Sequence, residues 1–357
     1  MRWLRLIPLL AAAAGYVIVP APDRAVPRPA VAFLTADAAL GYTQEMTIGF
    51  GFGVERVPGV WHDEAGTGIG DTARQFTTLR DLRKSHPGGL SVFTQSAELL
   101  AGALAQTVAA GTPVVAVDFP PATGSGVSLY IGNNNYLLGT MLAQQAADRL
   151  PGSSAGVVVL GTSVPGAPAL DLRIAGIRDE LRRLRPRLMV LGPFDTKQDP
   201  AANRAAWRIL IEANPTALAF LGTGDADAYN LASIRLRTNG AWVAGGFSVD
   251  RRALRAVKSG NLVLVSPELF LQGAVAGMLQ AAHAKYATPL PRGWIVTPGL
   301  PITAGNVDRI LERQEALGNR SRWFQRLADD IVARPDAYLR PLGAAGCPSA
   351  HAEAGCH

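Results

Sequence analysis

After its first thirty residues the chain alternates short apolar runs with amphipathic stretches, and this alternation limits the fold more than any other feature. Candidate strands such as residues 113–118 and 156–160 are rich in Val and almost continuously apolar. Between the strands, apolar side chains recur at helical spacing, as at Ile174, Ile177 and Leu181. Near-continuous apolar strands joined by crossover helices predict parallel sheets that helices cover on both faces. The predicted fold class is therefore α/β.

The number of candidate strands predicts two lobes rather than one domain. The strand-like runs lie within roughly 275 residues and overfill one ordinary doubly wound sheet. The apolar fraction of 48% is enough for two cores of medium size. The candidate strands are residues 31–35, 91–94, 113–118, 128–131, 156–160, 188–191, 217–221, 242–244 and 262–265. We therefore expect two Rossmann-like lobes joined by a hinge, with a ligand between them.

The charge pattern argues against a nucleic-acid partner. The chain has 34 basic and 28 acidic residues, but its arginines are mostly scattered singly. Only residues 182–187 cluster them, and this cluster has the pattern of a polar helix end. We therefore expect no binding to nucleic acid.

The N-terminus has the pattern of an export signal. Arg2 and Arg5 precede an apolar run over residues 6–19, and a proline-rich segment follows it. The run is shorter than the about 20 residues that a membrane span needs. Residues 1–30 are therefore predicted to be a signal peptide, with an uncleaved N-terminal anchor as the alternative. In both cases the protein is expected outside the cytoplasm.

Polar and aromatic residues follow the predicted strands at their carboxyl ends. In open parallel sheets these ends form the edge at which ligands bind. Asp118 and Phe119 follow one strand, Asp225 follows another, and Phe247 and Ser248 follow a third. We expect these residues at the ligand site, although Asp225 also has the position of a helix N-cap.

Several segments, by their order and spacing, resemble the ribose-binding-protein-like family of type I periplasmic sugar-binding proteins. The similar segments are residues 110–118, 131–139, 173–177, 221–228 and 245–248. The resemblance extends over about residues 31–304 of the chain. It implies an exported periplasmic protein that captures a sugar or other small polar ligand for an ABC transporter permease. The alternative is a periplasmic sensing subunit that signals to a membrane receptor or histidine kinase.

The resemblance also implies a division of the chain. Lobe 1 would comprise residues 31–133 and 267–297, and lobe 2 would comprise residues 134–266 and 298–304. Residues 305–357 would form a helical extension with a flexible tail. We expect a monomer whose lobes close around the ligand by a hinge motion.

Four site residues follow from the resemblance. Asp118 matches an aspartate that accepts hydrogen bonds from sugar hydroxyls, and Arg173 matches an arginine that donates to them. Tyr42 falls where the family places a ring-stacking aromatic, and Asn133 aligns with a further contact. We expect Asp118 and Arg173 to line an open cleft, so that their replacement weakens binding but hardly changes folding.

Three positions depart from the family pattern. Gly224 replaces an expected Asn, Ser248 replaces an expected Asp, and Pro267 stands near an expected Gln. Because buried polar groups need partners, a site without these three side chains favours a less hydroxylated ligand. Phe119 and Phe247 would add apolar wall to such a site.

The glycine-rich segment 48–53 is a further departure. The family's first helix should run there, and each glycine weakens a helix by about 1 kcal/mol. We therefore expect a weakened first helix.

Catalytic motifs are weak throughout the chain. Residues 161–165 and 246–250 each lack the final glycine of a nucleophile elbow. The five histidines form no HExxH pair, and no Walker A lysine pattern occurs. We therefore expect no enzymatic activity, no cofactor and no resident metal in the lobes.

The C-terminal tail contains four soft ligands: Cys347, His351, Cys356 and His357. In an oxidising compartment the two cysteines would form a local disulfide. A metal site built from the four side chains is the alternative, and a flexible tail without either is the simplest interpretation.

Overall fold

The computed structural model describes residues 29–86, 88–150, 152 and 155–348. The first 28 residues of the predicted export signal, residues 1–30, lie outside this part of the chain, and so do His351, Cys356 and His357 of the tail. Cys347 is disulfide-bonded, and Cys356 is the only other cysteine in the sequence.

Strands make up two sheets. In chain order the strands are β1 (Ala30–Thr35), β2 (Trp61–Gly66), β3 (Leu90–Phe93), β4 (Val114–Val117), β5 (Leu129–Asn133), β6 (Gly156–Thr162), β7 (Leu188–Asp195), β8 (Ala219–Gly222), β9 (Val243–Phe247), β10 (Val263–Ser266), β11 (Gly293–Thr297), β12 (Leu300–Ile302) and β13 (Leu339–Arg340). Each candidate strand of the sequence overlaps one of them, although β7 extends four residues beyond its predicted end.

Helices connect most of the strands. They are α1 (Gly41–Glu55), α2 (Thr72–Ser85), α3 (Ala97–Ala109), α4 (Asn135–Arg149), α5 (Pro168–Leu184), α6 (Pro200–Ala213), α7 (Asp225–Thr238), α8 (Arg251–Lys258), α9 (Leu269–Tyr286), α10 (Val307–Arg313) and α11 (Leu317–Ala333), with 3-10 turns at Pro335–Ala337 and Leu342–Gly346. No helix in the described part of the chain is long and apolar enough to cross a membrane.

The two sheets confirm the prediction of two α/β lobes. The first lobe has a seven-stranded sheet in the order β13-β11-β5-β4-β3-β1-β2. The second has a six-stranded sheet in the order β12-β10-β9-β8-β6-β7. All pairs are parallel except β11 with β13 and β10 with β12. Both sheets are therefore mostly parallel, as continuous apolar strands require.

The chain crosses between the lobes four times. The first three crossings connect β5 to α4, β10 to α9, and β11 to β12. The fourth connects α10, which packs on α8 of the second lobe, to α11, which packs on α9 of the first. Val307 and Ile310 lie in the second lobe's core, and Phe324 and Ile331 lie in the first lobe's core. The segment predicted as a C-terminal extension is thus shared between the two lobes.

A buried ion pair joins the second and fourth crossings. The Arg313 Nη1 atom lies 2.7 Å from Glu268 Oε2, and both side chains are almost completely buried. Ser266 Oγ donates to the other carboxylate oxygen at 2.5 Å. These contacts fix the end of α10 against the start of α9.

The expected weakening of the first helix is wrong. Helix α1 runs through the glycine-rich segment without a break. A Cβ atom on Gly49 would lie 2.1 Å from the Phe270 carbonyl oxygen, and one on Gly273 would lie 1.9 Å from that of Met46. The glycines therefore let the backbones of α1 and α9 meet, and this packing outweighs their low helix propensity.

The strands β2 and β13 have no apolar signal in the sequence. Strand β2 has the sequence WHDEAG, is mostly exposed, and pairs only with β1 at the edge of its sheet. Polar residues are expected on an edge strand because one of its sides faces water. Periodicity could not have identified it.

Candidate functional site

A cavity of about 200 Å³ lies between the lobes, at the carboxyl ends of strands from both sheets. The loops that follow β1, β3 and β4 line it from the first lobe, and those that follow β6, β7, β8 and β9 line it from the second. Of the residues predicted for the site, those that line this cavity are Tyr42, Asp118, Phe119, Arg173, Asp225, Phe247 and Ser248.

Asp118 is held at the end of β4 in a left-handed conformation, with a φ of 64°. Its backbone N–H donates to Ile131 O at 2.9 Å, and its carbonyl accepts from the Tyr130 hydroxyl at 2.7 Å. The residue is 3% exposed, and its Oδ1 atom accepts no hydrogen bond from the described residues. Burial raises the pKa of the carboxyl group, while Arg173 and Gln272 oppose the rise.

Arg173 is fixed on α5 of the second lobe. Its Nε donates to Asn135 Oδ1 at 2.8 Å and its Nη1 to the Thr223 carbonyl at 2.9 Å. The guanidinium carbon lies 4.7 Å from the centre of the Phe247 ring, within the range of a cation–π interaction. Burial lowers the pKa of Arg173, and the charge of Asp118 across the cavity opposes this effect. Asp118 and Arg173 therefore stabilise each other's charged forms from opposite lobes.

Asp225 is the first residue of α7 and does not cap it. The N-cap is Gly224, whose backbone N–H donates to Asp227 Oδ2 at 2.8 Å. The N-cap interpretation of Asp225 is therefore wrong. Ser248 Oγ donates to Asp225 Oδ1 at 2.5 Å. Burial raises the pKa of Asp225 to about 7, although the Ser248 hydrogen bond lowers it.

A second arginine also lines the cavity from the second lobe, but a neighbouring carboxylate balances its charge. Arg252 makes two hydrogen bonds of 2.9 Å to the Asp250 carboxylate. Its guanidinium carbon lies 3.8 Å from the centre of the Tyr229 ring. The side chain is 63% exposed, so this pair is a surface ion pair at the margin of the cavity.

Tyr42 lies in a polar cluster on the first lobe. Its hydroxyl donates to Asp37 Oδ2 at 3.1 Å and accepts from Gln95 Nε2 at 3.2 Å. The edge of its ring meets Phe93, which also contacts Phe119 edge-on at 5.7 Å. Tyr42 and Phe119 thus form an aromatic wall with a hydroxyl group at one end.

Asn133 is not among the residues that line the cavity. Its Nδ2 donates to the Thr297 carbonyl at 3.0 Å, and its Oδ1 accepts from Gln272 Nε2 at 2.8 Å. The bond to Thr297 joins the first and third crossings, and the bond from Gln272 joins the first crossing to α9, which follows the second crossing. In the structure Asn133 therefore belongs to the hinge, and its predicted ligand contact has no support from this geometry.

Two glutamines in the lining were missed from the sequence. Gln95 directly follows the predicted strand at 91–94, so the rule of strand carboxyl ends would have identified it. Gln198 follows β7, whose predicted end was four residues too early. Both amides add polar groups to a site that the sequence suggested was poor in them.

The departure at Gly224 has a steric reason. A Cβ atom there would lie 2.4 Å from Ser163 Oγ, so a larger side chain would displace the loop that follows β6. Ser248 binds Asp225, and a carboxylate therefore remains in the region where the family pattern expects one at position 248.

No group of His, Cys, Asp and Glu that could hold a metal ion occurs among the described residues.

The fold has two lobes with a cavity between them, which is the arrangement of a two-lobe binding protein. The family model described as "Periplasmic binding protein domain" matches residues 31–288. The chain therefore belongs to the periplasmic binding protein family. Comparison with curated proteins finds no match.

Solved structures share the fold at low sequence identity. An arabinose binding protein from Geobacillus stearothermophilus has 22% identity and a TM-score of 0.67, over 80% of this chain and 99% of that one. A solute binding protein from Burkholderia graminis in complex with D-arabinose has 20% identity and a TM-score of 0.71, over 78% and 96%. One from Agrobacterium vitis with bound D-fucose has 16% identity and a TM-score of 0.72, over 81% and 99%.

Proposed function

We propose that this protein binds a small, uncharged sugar or sugar-like molecule between its lobes and delivers it to an ABC transporter permease. The observation that carries the proposal is the placement of Asp118 and Arg173 on opposite walls of one cavity. Asp118 Oδ1 is buried without a hydrogen-bond donor among the described residues, and a ligand hydroxyl would satisfy it. Such charge-assisted bonds contribute about 1.5 to 3 kcal/mol each.

The charges of the lining favour a neutral ligand over an anion. The lining includes three carboxylates, Asp118, Asp225 and Asp250, and two guanidinium groups. Arg252 is paired with Asp250, and Arg173 faces the charge of Asp118. An anionic ligand would find no cation in excess, whereas hydroxyl groups can donate to the carboxylates. Two of the similar structures hold D-arabinose and D-fucose. Both sugars are small and uncharged, as the proposed ligand is.

Binding without catalysis and a periplasmic location complete the proposal. Binding without catalysis is inferred from the family to which the chain belongs, whose model describes a binding protein domain. Export is inferred from the signal-like residues 1–30. Cell fractionation should recover the protein outside the cytoplasm, and full-length soluble protein in the cytoplasm of its own host would contradict export.

A thermal-shift screen tests the ligand class. The panel should contain neutral pentoses, hexoses, deoxyhexoses and polyols, with sugar phosphates and uronic acids as charged controls. A ligand at 100 times its Kd stabilises the folded state by about 2.7 kcal/mol. We expect a rise in Tm with at least one neutral compound and none with its charged analogue. A panel in which only anions raise the Tm, or in which nothing does, would overturn the proposal.

A further inference from the structure

One side chain of the second lobe bonds directly to the first lobe beside the cavity. Gln198 Nε2 donates to Asp37 Oδ2 at 2.6 Å and to the Tyr42 hydroxyl at 2.7 Å. Gln198 follows β7, whereas Asp37 and Tyr42 follow β1, so the contact joins loops on different sheets. These bonds exist only while the two lobes are close together.

The first-lobe side of this contact is held in place. Asp37 is 1% exposed and has a φ of 54°. Its Oδ1 accepts from the Gly70 N–H at 3.0 Å, which directs Oδ2 toward Tyr42 and Gln198. Gln95 donates to the Tyr42 hydroxyl. The acceptor group is therefore formed by the first lobe alone.

The second-lobe side is also fixed. Lys197 has a φ of 67°, and its N–H donates to Asp195 Oδ1 at 3.0 Å. Its carbonyl accepts from Asn203 Nδ2 at 3.0 Å, and the buried Asn203 also bonds to Asp227 at 2.6 Å. The backbone of the loop therefore presents Gln198 from a fixed position, so the contact requires ordering of this side chain but not of the loop.

We propose that Gln198 is a latch that stabilises the closed arrangement of the lobes even without ligand. A bond made only in the closed state raises the population of that state. Because apparent affinity scales with the fraction of binding-competent molecules, the latch also tightens ligand binding. The inference rests on the proposed function for its effect on affinity, but its effect on lobe closure needs no ligand.

The first test measures the distance between the lobes without ligand. Spin labels at Leu99→Cys on α3 and Leu236→Cys on α7 report this distance, since both residues are exposed and lie outside the cavity. Gln198→Glu places a second carboxylate against Asp37 with almost unchanged shape. We expect the ratio of closed to open molecules to fall about tenfold. An unchanged distance distribution would overturn the latch.

A second variant separates the latch from a general charge effect. Adding Asp37→Asn to Gln198→Glu again pairs one amide with one carboxylate, but position 37 now donates and position 198 accepts. The double variant should therefore restore the closed population. Gln106→Glu on the exposed face of α3 makes the same charge change far from the contact and should have no effect. Failure of the double variant to recover closure, despite a wild-type circular dichroism spectrum, would contradict the pairing.

The affinity readout distinguishes the latch from a direct ligand contact. For any compound that raises the Tm, Gln198→Glu should increase the Kd about tenfold and the double variant should reverse this. If closure responds but no sugar binds, the latch stands and the proposed function fails. If affinity falls while the ligand-free distance stays the same, Gln198 contacts the ligand and the latch is wrong.

Discussion

The two walls of the cavity differ in how their charges are balanced. Among the described lining residues, the first lobe contributes Asp118 but no cation, whereas the second contributes both arginines. Arg252 is paired within its own lobe, to Asp250. Arg173 bonds to neutral oxygen atoms of Asn135 and Thr223, and the negative charge that raises its pKa most is Asp118 of the other lobe.

This difference shows that electrostatic complementarity acts across the cleft. The buried Oδ1 atom of Asp118 has no hydrogen-bond donor among the described residues, and such an atom is costly to bury unless a charge or a hydrogen bond compensates it. Asp118 and Arg173 line the same cavity from opposite lobes, and a ligand hydroxyl between them would supply the missing bond. The buried charges of Asp118 and Arg173 therefore compensate each other across the cavity, whereas the charge of Arg252 is compensated within its own lobe.

The largest expected effect comes from removing the buried arginine of the second wall. Arg173→Ala leaves Asn135 Oδ1 and the Thr223 carbonyl without their donor and removes the contact with Phe247. We expect a loss of about 3 to 5 kcal/mol in the free energy of unfolding. Denaturant titration measures it.

Arg252→Ala is the matched control, because it removes an exposed arginine from the same wall. Its loss should be about 1 kcal/mol or less. Equal effects of the two variants would show that burial does not distinguish the two arginines. The sequence had suggested that Arg173 could be replaced with little change in folding, and the 6% exposure of its side chain argues against this.

A smaller effect is expected from Asp225, the half-buried carboxylate of the second wall. Its pKa is about 7 in the folded protein and about 3.9 in an unfolded chain. The folded state therefore binds the proton more tightly, and stability falls as pH rises from about 4 to 7. Burial causes most of the shift, with Asp250 and Glu45 adding to it and Ser248 and Arg252 opposing it.

Asp225→Asn should remove this part of the pH dependence. Between pH 5 and pH 8 the wild type should lose about 1 to 2 kcal/mol more stability than the variant. Urea unfolding of both proteins at the two pH values provides the comparison. Parallel losses would mean that Asp225 is ionised throughout this range.

Much of the fold could be predicted because the buried strands carry a continuous apolar signal. Strand β4, with the sequence VVAV, is buried at every position. The polar edge strand β2 and the two-residue β13 have no such signal. Helix α1 was misjudged because its glycines serve the packing against α9, which lies more than 200 residues away in the chain. Local helix propensity takes no account of such a distant partner.

The residues of the site could be predicted from the sequence where they directly follow the carboxyl end of a strand. Asp118 and Ser248 could be placed by that rule alone. Gln198 could not, since β7 is only partly buried and its pattern does not mark its end. Asn133 was assigned to the site by resemblance, whereas its hydrogen bonds at the hinge depend on Thr297 and Gln272, which are distant in the chain.

The most direct test of a ligand site shared by both walls is calorimetric titration of Asp118→Asn. The probe is the neutral compound that gives the largest thermal shift with the wild type. The variant keeps the shape of the side chain but removes its charge and one acceptor oxygen, and its circular dichroism spectrum should match that of the wild type. We expect the Kd to rise about 10- to 100-fold, because 1.4 kcal/mol corresponds to a factor of ten in affinity. A wild-type Kd in a folded Asp118→Asn variant would contradict a ligand bound between the two walls at this carboxylate.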